Sequence, residues 1–247
     1  MIGATAMLVL SLAAPPPQLA PPAPLPGGAV VLQRFVRAVG GEAAIRDIEA
    51  MTVQGRIGLP GVAKPGRFRW SVADGGRCVF DMAFPDLGRS RFGSDGKTGW
   101  EIVELEDSVH RGAVPLDEVE RRRRRANWFE LALTLPARAT EFTTIGRSTF
   151  DGIDAYEVYM VDASGRPHTL YFAADSSFLL GVRLSERGPA GPADVTIRFA
   201  EWSEVGPLTL FHRVSINHAD VHLQLKFDAI SLDPVPDAAF SEPADDA

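Results

Sequence analysis

Lys64-Pro65-Gly66-Arg67-Phe68-Arg69-Trp70 and, about thirty residues further on, Ser94-Asp95-Gly96-Lys97-Thr98-Gly99-Trp100 decide the fold of this chain. Each predicts a turn that feeds an antiparallel strand with large aromatics on one face. Pro65 fixes φ and Gly66 permits positive φ, a combination that suits a tight turn. Asp95-Gly96 is the signal of a two-residue hairpin. After the first turn Phe68, Trp70 and Val72 alternate with Arg67, Arg69 and Ser71. That is the period-two pattern of a strand with one face in water.

The alternation continues outward. Cys78, Phe80, Met82 and Phe84 alternate with Val79, Asp81 and Ala83. Leu180, Val182 and Leu184 share a face, as do Val195, Ile197 and Phe199, and Val221, Leu223, Leu225 and Phe227. Ahead of the strands, Val31, Leu32, Phe35, Val36 and Val39 recur at helical spacing. A helix is therefore expected over Ala29 to Val39, ended by Gly40-Gly41, with a short second turn over Glu42 to Glu49. Another helix is expected from Pro115 to Leu135, begun by Pro115 and stopped by Pro136. The implied architecture is mainly β (α+β): a single strongly curved antiparallel sheet, an open half-barrel, with helices covering its concave face. Roughly eight to eleven strands would build it. Trp70, Phe80 and Trp100 are expected on the concave face, with Arg69 and Asp81 on the other.

Composition suits one such domain. The chain has 247 residues, 45% hydrophobic and 23% charged, within the range of a single large β-rich unit, placed here at 29–247. A net charge of −7 argues against nucleic acid as a partner, which needs a basic face. With Cys78 the only cysteine, neither an intrachain disulfide nor a cysteine metal cluster can form. Ala4 to Ala14 is an apolar run of the length of a signal h-region, and Ser11-Leu12-Ala13 offers small residues for cleavage. The run is too short to span a bilayer. Residues 1–14 thus point to export, although the first basic residue is Arg34. No Cys ends the run, so a lipid anchor is not expected. Residues 15–28 are Pro-rich and are expected to form a linker.

Taken in order and spacing, these segments resemble the paired signature of the bacterial periplasmic lipoprotein carriers, the LolA/LolB-like superfamily. There a (K/R)-P-x-x-F-x-W strand is followed by an S-D-G-K-T-x-W hairpin. Asp237-Ala238-Ala239-Phe240-Ser241-Glu242-Pro243 is similar to the closing D-x-x-F-x-x-P of the same superfamily. Ala38-Val39-Gly40-Gly41-Glu42-Ala43-Ala44-Ile45 is similar to an A-x-G-G-x-x-A-(I/L) opening in its divergent, outer-membrane lipoprotein-sorting branch. The match spans Val31 to Pro243. The resemblance implies a periplasmic, non-enzymatic carrier or sensor that binds acyl chains of lipoproteins or lipids in an apolar cavity. An inner- or outer-membrane protein would be a further partner, a monomer is expected, and no cofactor is implied. The cavity wall would be Phe68, Trp70, Phe80, Met82, Phe84 and Trp100. Trp128, Phe129 and Leu133 would form a lid. Lys64, Arg122 and Arg123 would stand at the cavity mouth, with Lys64 linking lid to barrel.

Other chemistry finds little support. Gly96-Lys97-Thr98 lacks the Gly that a phosphate-binding loop needs five positions earlier, where Arg91 stands. No G-x-S-x-G nucleophile elbow occurs, and no catalytic or metal set can be assembled. His218, Asp220 and His222 would share a strand face, but Asn217 to Asp220 is expected at a hairpin tip, where such groups splay. Arg121 to Arg125 turn through more than a full helical revolution and cannot form one stripe. They are either a solvated helix face or cations facing lipid headgroups or an acidic partner. The alternative function is a non-lipid, protein-docking or envelope-stress-sensing module on the same fold.

Overall fold

The computed structural model describes residues 24–134, 139–162, 165–188, 191–218 and 221–244. The expected signal segment and most of the Pro-rich linker lie outside the described residues. The chain opens with α1 (Gly28–Ala38) and α2 (Gly41–Arg46). A meander of six strands follows: β1 (Ala50–Gly58), β2 (Gly66–Ala73), β3 (Arg77–Phe84), β4 (Gly88–Ser94), β5 (Gly99–Leu105) and β6 (Ser108–Val114). Two short helices come next, α3 (Leu116–Ala126) and α4 (Trp128–Leu133). A second meander runs through β7 (Ala139–Phe150), β8 (Ile153–Asp162), β9 (Pro167–Ala173), β10 (Leu179–Gly188), β11 (Gly191–Val205), β12 (Leu208–His218) and β13 (Val221–Ser231). A 3-10 turn, Asp237–Phe240, closes the described chain. Among the described residues no helix is long and apolar enough to cross a membrane.

All thirteen strands form one antiparallel sheet in the order β6-β5-β4-β3-β2-β1-β13-β12-β11-β10-β9-β8-β7. The first and last strands pair at its centre, with Arg56 opposite Lys226. That pairing makes β6 and β7 the two edges. The chain between them, α3 and α4, must therefore cross from one edge to the other, and it does so over the inner face. Thirteen exceeds the eight to eleven strands expected, because the strands at and near the edges bury little. In β7 only Phe150 is buried, and in β6 only Val114. Such strands carry a weak hydrophobic alternation.

The faces follow from the register. Trp70 stands opposite Phe80, and Phe80 opposite Phe92. Directly opposed side chains share a face, so these three line the inner side, while the rung Arg69–Asp81–Arg91 lies outside. Trp100 is a correction. The β4–β5 turn holds four residues, Asp95 to Thr98, instead of two, because Asp95 Oδ1 accepts hydrogen bonds from the Lys97 and Thr98 amides at 2.8 Å. Across this turn Phe92 meets Glu101, and Trp100 meets Gly93 on the outer face. Any even-length turn here, the expected two residues as much as the observed four, passes the inner face from even to odd positions, so Trp100 falls on the far side from Trp70 and Phe80. There its ring covers Gly93, where a Cβ would stand 2.6 Å from the indole. Its Nε1 donates to the Phe240 carbonyl at 3.0 Å. The closing Asp237–Phe240 turn is thus fastened to the outside of the sheet, with Phe240 fully buried.

Gly66 also departs from expectation. It is the first residue of β2, not a turn residue. Phe84 lies over it, and a Cβ there would come within 2.7 Å of the Phe84 ring. On the inner face α1 buries Val31, Leu32, Phe35 and Val36. Phe35 packs against Phe172 at 5.4 Å and Trp202 at 6.2 Å between ring centroids. Burying each such side chain contributes about 1.5–3 kcal/mol.

Candidate ligand-binding site

The helix expected to run unbroken from Pro115 to Leu135 is divided at Asn127. The Asn127 Oδ1 accepts a hydrogen bond from the Glu130 amide at 3.1 Å and caps α4. An Asn followed three residues later by Glu is a helix-start signal, and it stands in the sequence as Asn127-Trp128-Phe129-Glu130. The break turns Phe129 inward. Its ring stacks on Phe211 at 4.2 Å with 10° between planes. It also meets Trp70 at 5.9 Å and Phe227 at 5.4 Å. Phe68 meets Phe227 at 5.8 Å, and Phe80 stacks on Phe92 at 4.6 Å. Phe68, Trp70 and Phe80, expected to line a cavity, are therefore close-packed core, filled from above by α4. Met82 packs against that core, and Phe84 covers Gly66.

Open space lies to one side of this plug. A cleft of about 410 Å³ is floored by Ile45, Ile48, Met51, Val72, Phe129 and Leu133. Its rim is polar, with Glu49, Asp74, Arg123, Asn127, Glu130 and Thr134. The volume falls within the roughly 300–1,000 Å³ of small-molecule sites. Phe129, Leu133 and Arg123 of the expected site residues line it; Trp128 packs on the core without reaching it. Lys64 stands at the opposite end of β2 and bonds Asp86 at 3.3 Å in the β3–β4 turn. At about 3.3 Å per residue, that end is roughly 25 Å from the cleft, so Lys64 fastens two loops and does not link lid to barrel. Met51, Val72, Ile45 and Ile48 were not foreseen as site residues. Met51 and Val72 stand directly opposite each other across β1 and β2, and strand alternation marks Val72 as inward-facing.

Of the arginine run, Arg121 and Arg124 lie on a solvated helix face, as one of the two expectations has it, while Arg122 and Arg123 are half-buried against neighbouring elements. Arg121 donates to Glu118 at 2.6 Å, Arg122 to Glu118 and Glu101 at 2.7 Å each, and Arg124 to Glu120 at 2.6 Å. The Arg122 guanidinium also lies 5.7 Å from the Phe92 ring centre. Arg123 donates to Glu120 at 2.7 Å and to Glu130, which joins α3 to α4. Its hydrogen bond to Glu120 raises the Arg123 pKa and holds the Glu120 carboxyl below its ordinary value. These cations are spent on carboxylates of their own chain.

Burial pushes the Cys78 thiol up to about 11, so it stays protonated at neutral pH and is a poor nucleophile. His168 bonds Asp162 at 3.1 Å and His222 bonds Asn217 at 2.8 Å. Asp220, the middle of the weighed His218–Asp220–His222 set, lies outside the described residues. Among the described residues no group of three or more His, Cys, Asp or Glu is placed to hold a metal ion.

No family model matches the chain, and no curated protein matches it. Solved structures do. A LolA superfamily protein from Nitrosomonas europaea aligns with a TM-score of 0.53 at 10% identity, covering 88% of this chain and 99% of that one. The fold is LolA-like. A DUF1329 family protein from Desulfovibrio piger aligns equally well, with a TM-score of 0.53 at 12% identity over 87% of this chain and 97% of that one.

Proposed function

We propose that this LolA-like protein is a non-enzymatic carrier or sensor that takes an acyl chain of a lipoprotein or lipid into the cleft beside α4. One observation carries the reading: the cleft has an apolar floor and a polar rim, and it opens on the inner face of a sheet that is not closed into a barrel. Each methylene buried there contributes about 0.8 kcal/mol, so an acyl tail needs no specific polar partner, while Arg123 and Asn127 stand at the rim beside its polar end. The fold shared with a LolA superfamily protein supports this as an analogy of architecture. The envelope, with the periplasm as compartment, is the location that goes with it. Native mass spectrometry of gently purified protein is expected to show a co-purified acyl species; a clean apo mass even after incubation with fatty acid would contradict the reading.

The stacked plug of Phe129 on Phe211 favours a second reading, a protein-docking or envelope-stress-sensing module whose inner volume is core. Capture of a defined protein partner by protein that takes up no lipid would support it.

A further inference from the structure

The outer face of the sheet carries a row of cations in register. Arg67 on β2 stands opposite Arg56 on β1, Arg56 opposite Lys226 on β13, and Lys226 opposite Arg213 on β12. One rung across four neighbouring strands therefore holds four positive charges, and Arg69 adds another two residues along β2. All are exposed. Neighbouring strands lie about 4.8 Å apart, so the row is about 15 Å long. Like charges directly opposite destabilise a sheet, and the chain as a whole carries −7. Asp228 offsets Arg56 at 3.0 Å, and Glu201 pairs with Arg213. The ion pairs among the described residues leave Arg67, Arg69 and Lys226 unmatched.

We propose that this row docks the protein, outer face down, on the anionic headgroup layer of a phospholipid membrane. Acidic side chains on one face of an extended peptide recur about every 6.6 Å, out of step with cations about 4.8 Å apart. A fluid layer of singly charged headgroups adjusts to any spacing, and its negative surface potential attracts clustered Lys and Arg. The cleft, on the opposite face, then points away from the bilayer. The surface and the cleft share no residue, so this inference stands apart from the acyl-binding reading.

Flotation of the full chain with vesicles tests it. The protein is expected to float with equimolar phosphatidylcholine and phosphatidylglycerol, not with phosphatidylcholine alone, and to be released as salt rises from about 0.05 to about 0.5 M. Arg67→Glu/Lys226→Glu should weaken binding about tenfold or more. Arg34→Glu/Lys97→Glu makes the same charge change on α1 and in the β4–β5 turn, and should not. Reversal removes like-charge contacts, so the first pair should melt no lower than wild type; Arg67→Gln/Lys226→Gln serves if it fails to fold. Fluorescent fatty-acid uptake should be the same in all of them. Equal losses in the two reversal variants, or no flotation of wild type on the anionic vesicles, would overturn the proposal. Binding of labelled polyglutamate by wild type without flotation would replace the membrane with an acidic protein.

Discussion

Trp100 shows how a residue can be legible in type and misplaced in space. Its size and its place after Asp95-Gly96 mark it as buried, and it is 3% exposed. Which face buries it depends on whether the turn before it is even or odd: the four-residue turn capped by Asp95, like the two-residue hairpin expected, carries Trp100 to the face opposite Trp70 and Phe80. Trp100→Ala should remove the bond to Phe240 and uncover Gly93, at a cost of about 3–5 kcal/mol by chemical denaturation. Fatty-acid uptake by the folded variant should be unchanged, since the ring lies on the outer face. A loss of uptake in protein that still melts cooperatively would put Trp100 back on the inner wall. Asn127→Ala removes the α4 cap and should cost about 1 kcal/mol; an unchanged midpoint would mean that α4 is held by Phe129 alone.

At the level of elements, α3 and α4 are joined by charge as well as by packing. Arg123 reaches Glu120 on its own helix and Glu130 on the next. Glu120 titrates below its ordinary 4.5 because Arg123 hydrogen-bonds the ionised form. A depressed carboxylate pKa adds stability that is complete above the unfolded value and is lost as pH falls through the folded one. The thermal midpoint should therefore drop on acidification below about pH 4.5, and Glu120→Gln should shrink that drop; parallel curves for the two proteins would remove Glu120 from the linkage. The apolar members of this segment were readable at helical spacing. The break had a signal too, Asn127 with Glu130 three residues on, but it lies inside a segment whose flanking Pro115 and Pro136 mark one continuous helix, and the cap bond from the Glu130 amide is what shows that it is used.

For the whole molecule, the alternation around Trp70 and Phe80 and the one-sided polarity of β13 were enough to predict an open antiparallel sheet with covered inner face. The pairing of β1 with β13 was not readable, since strand order depends on contacts between chain ends that local periodicity does not encode. The same limit displaced the site: the inner-face aromatics are filled in by α4, and the free space lies where α2, β1, β2 and α4 converge. The central claim is that this convergence holds an acyl chain, and uptake of a fluorescent fatty acid by wild type and by Val72→Glu tests it directly. Val72 is half-buried on the cleft floor, so the carboxylate reaches the rim without unfolding the sheet, yet charges the space an acyl tail would occupy. Saturable uptake by wild type, weakened about tenfold or more in a Val72→Glu protein of near-normal midpoint, is the result expected. Absence of saturable uptake by wild type, or equal uptake by the two proteins, would contradict it.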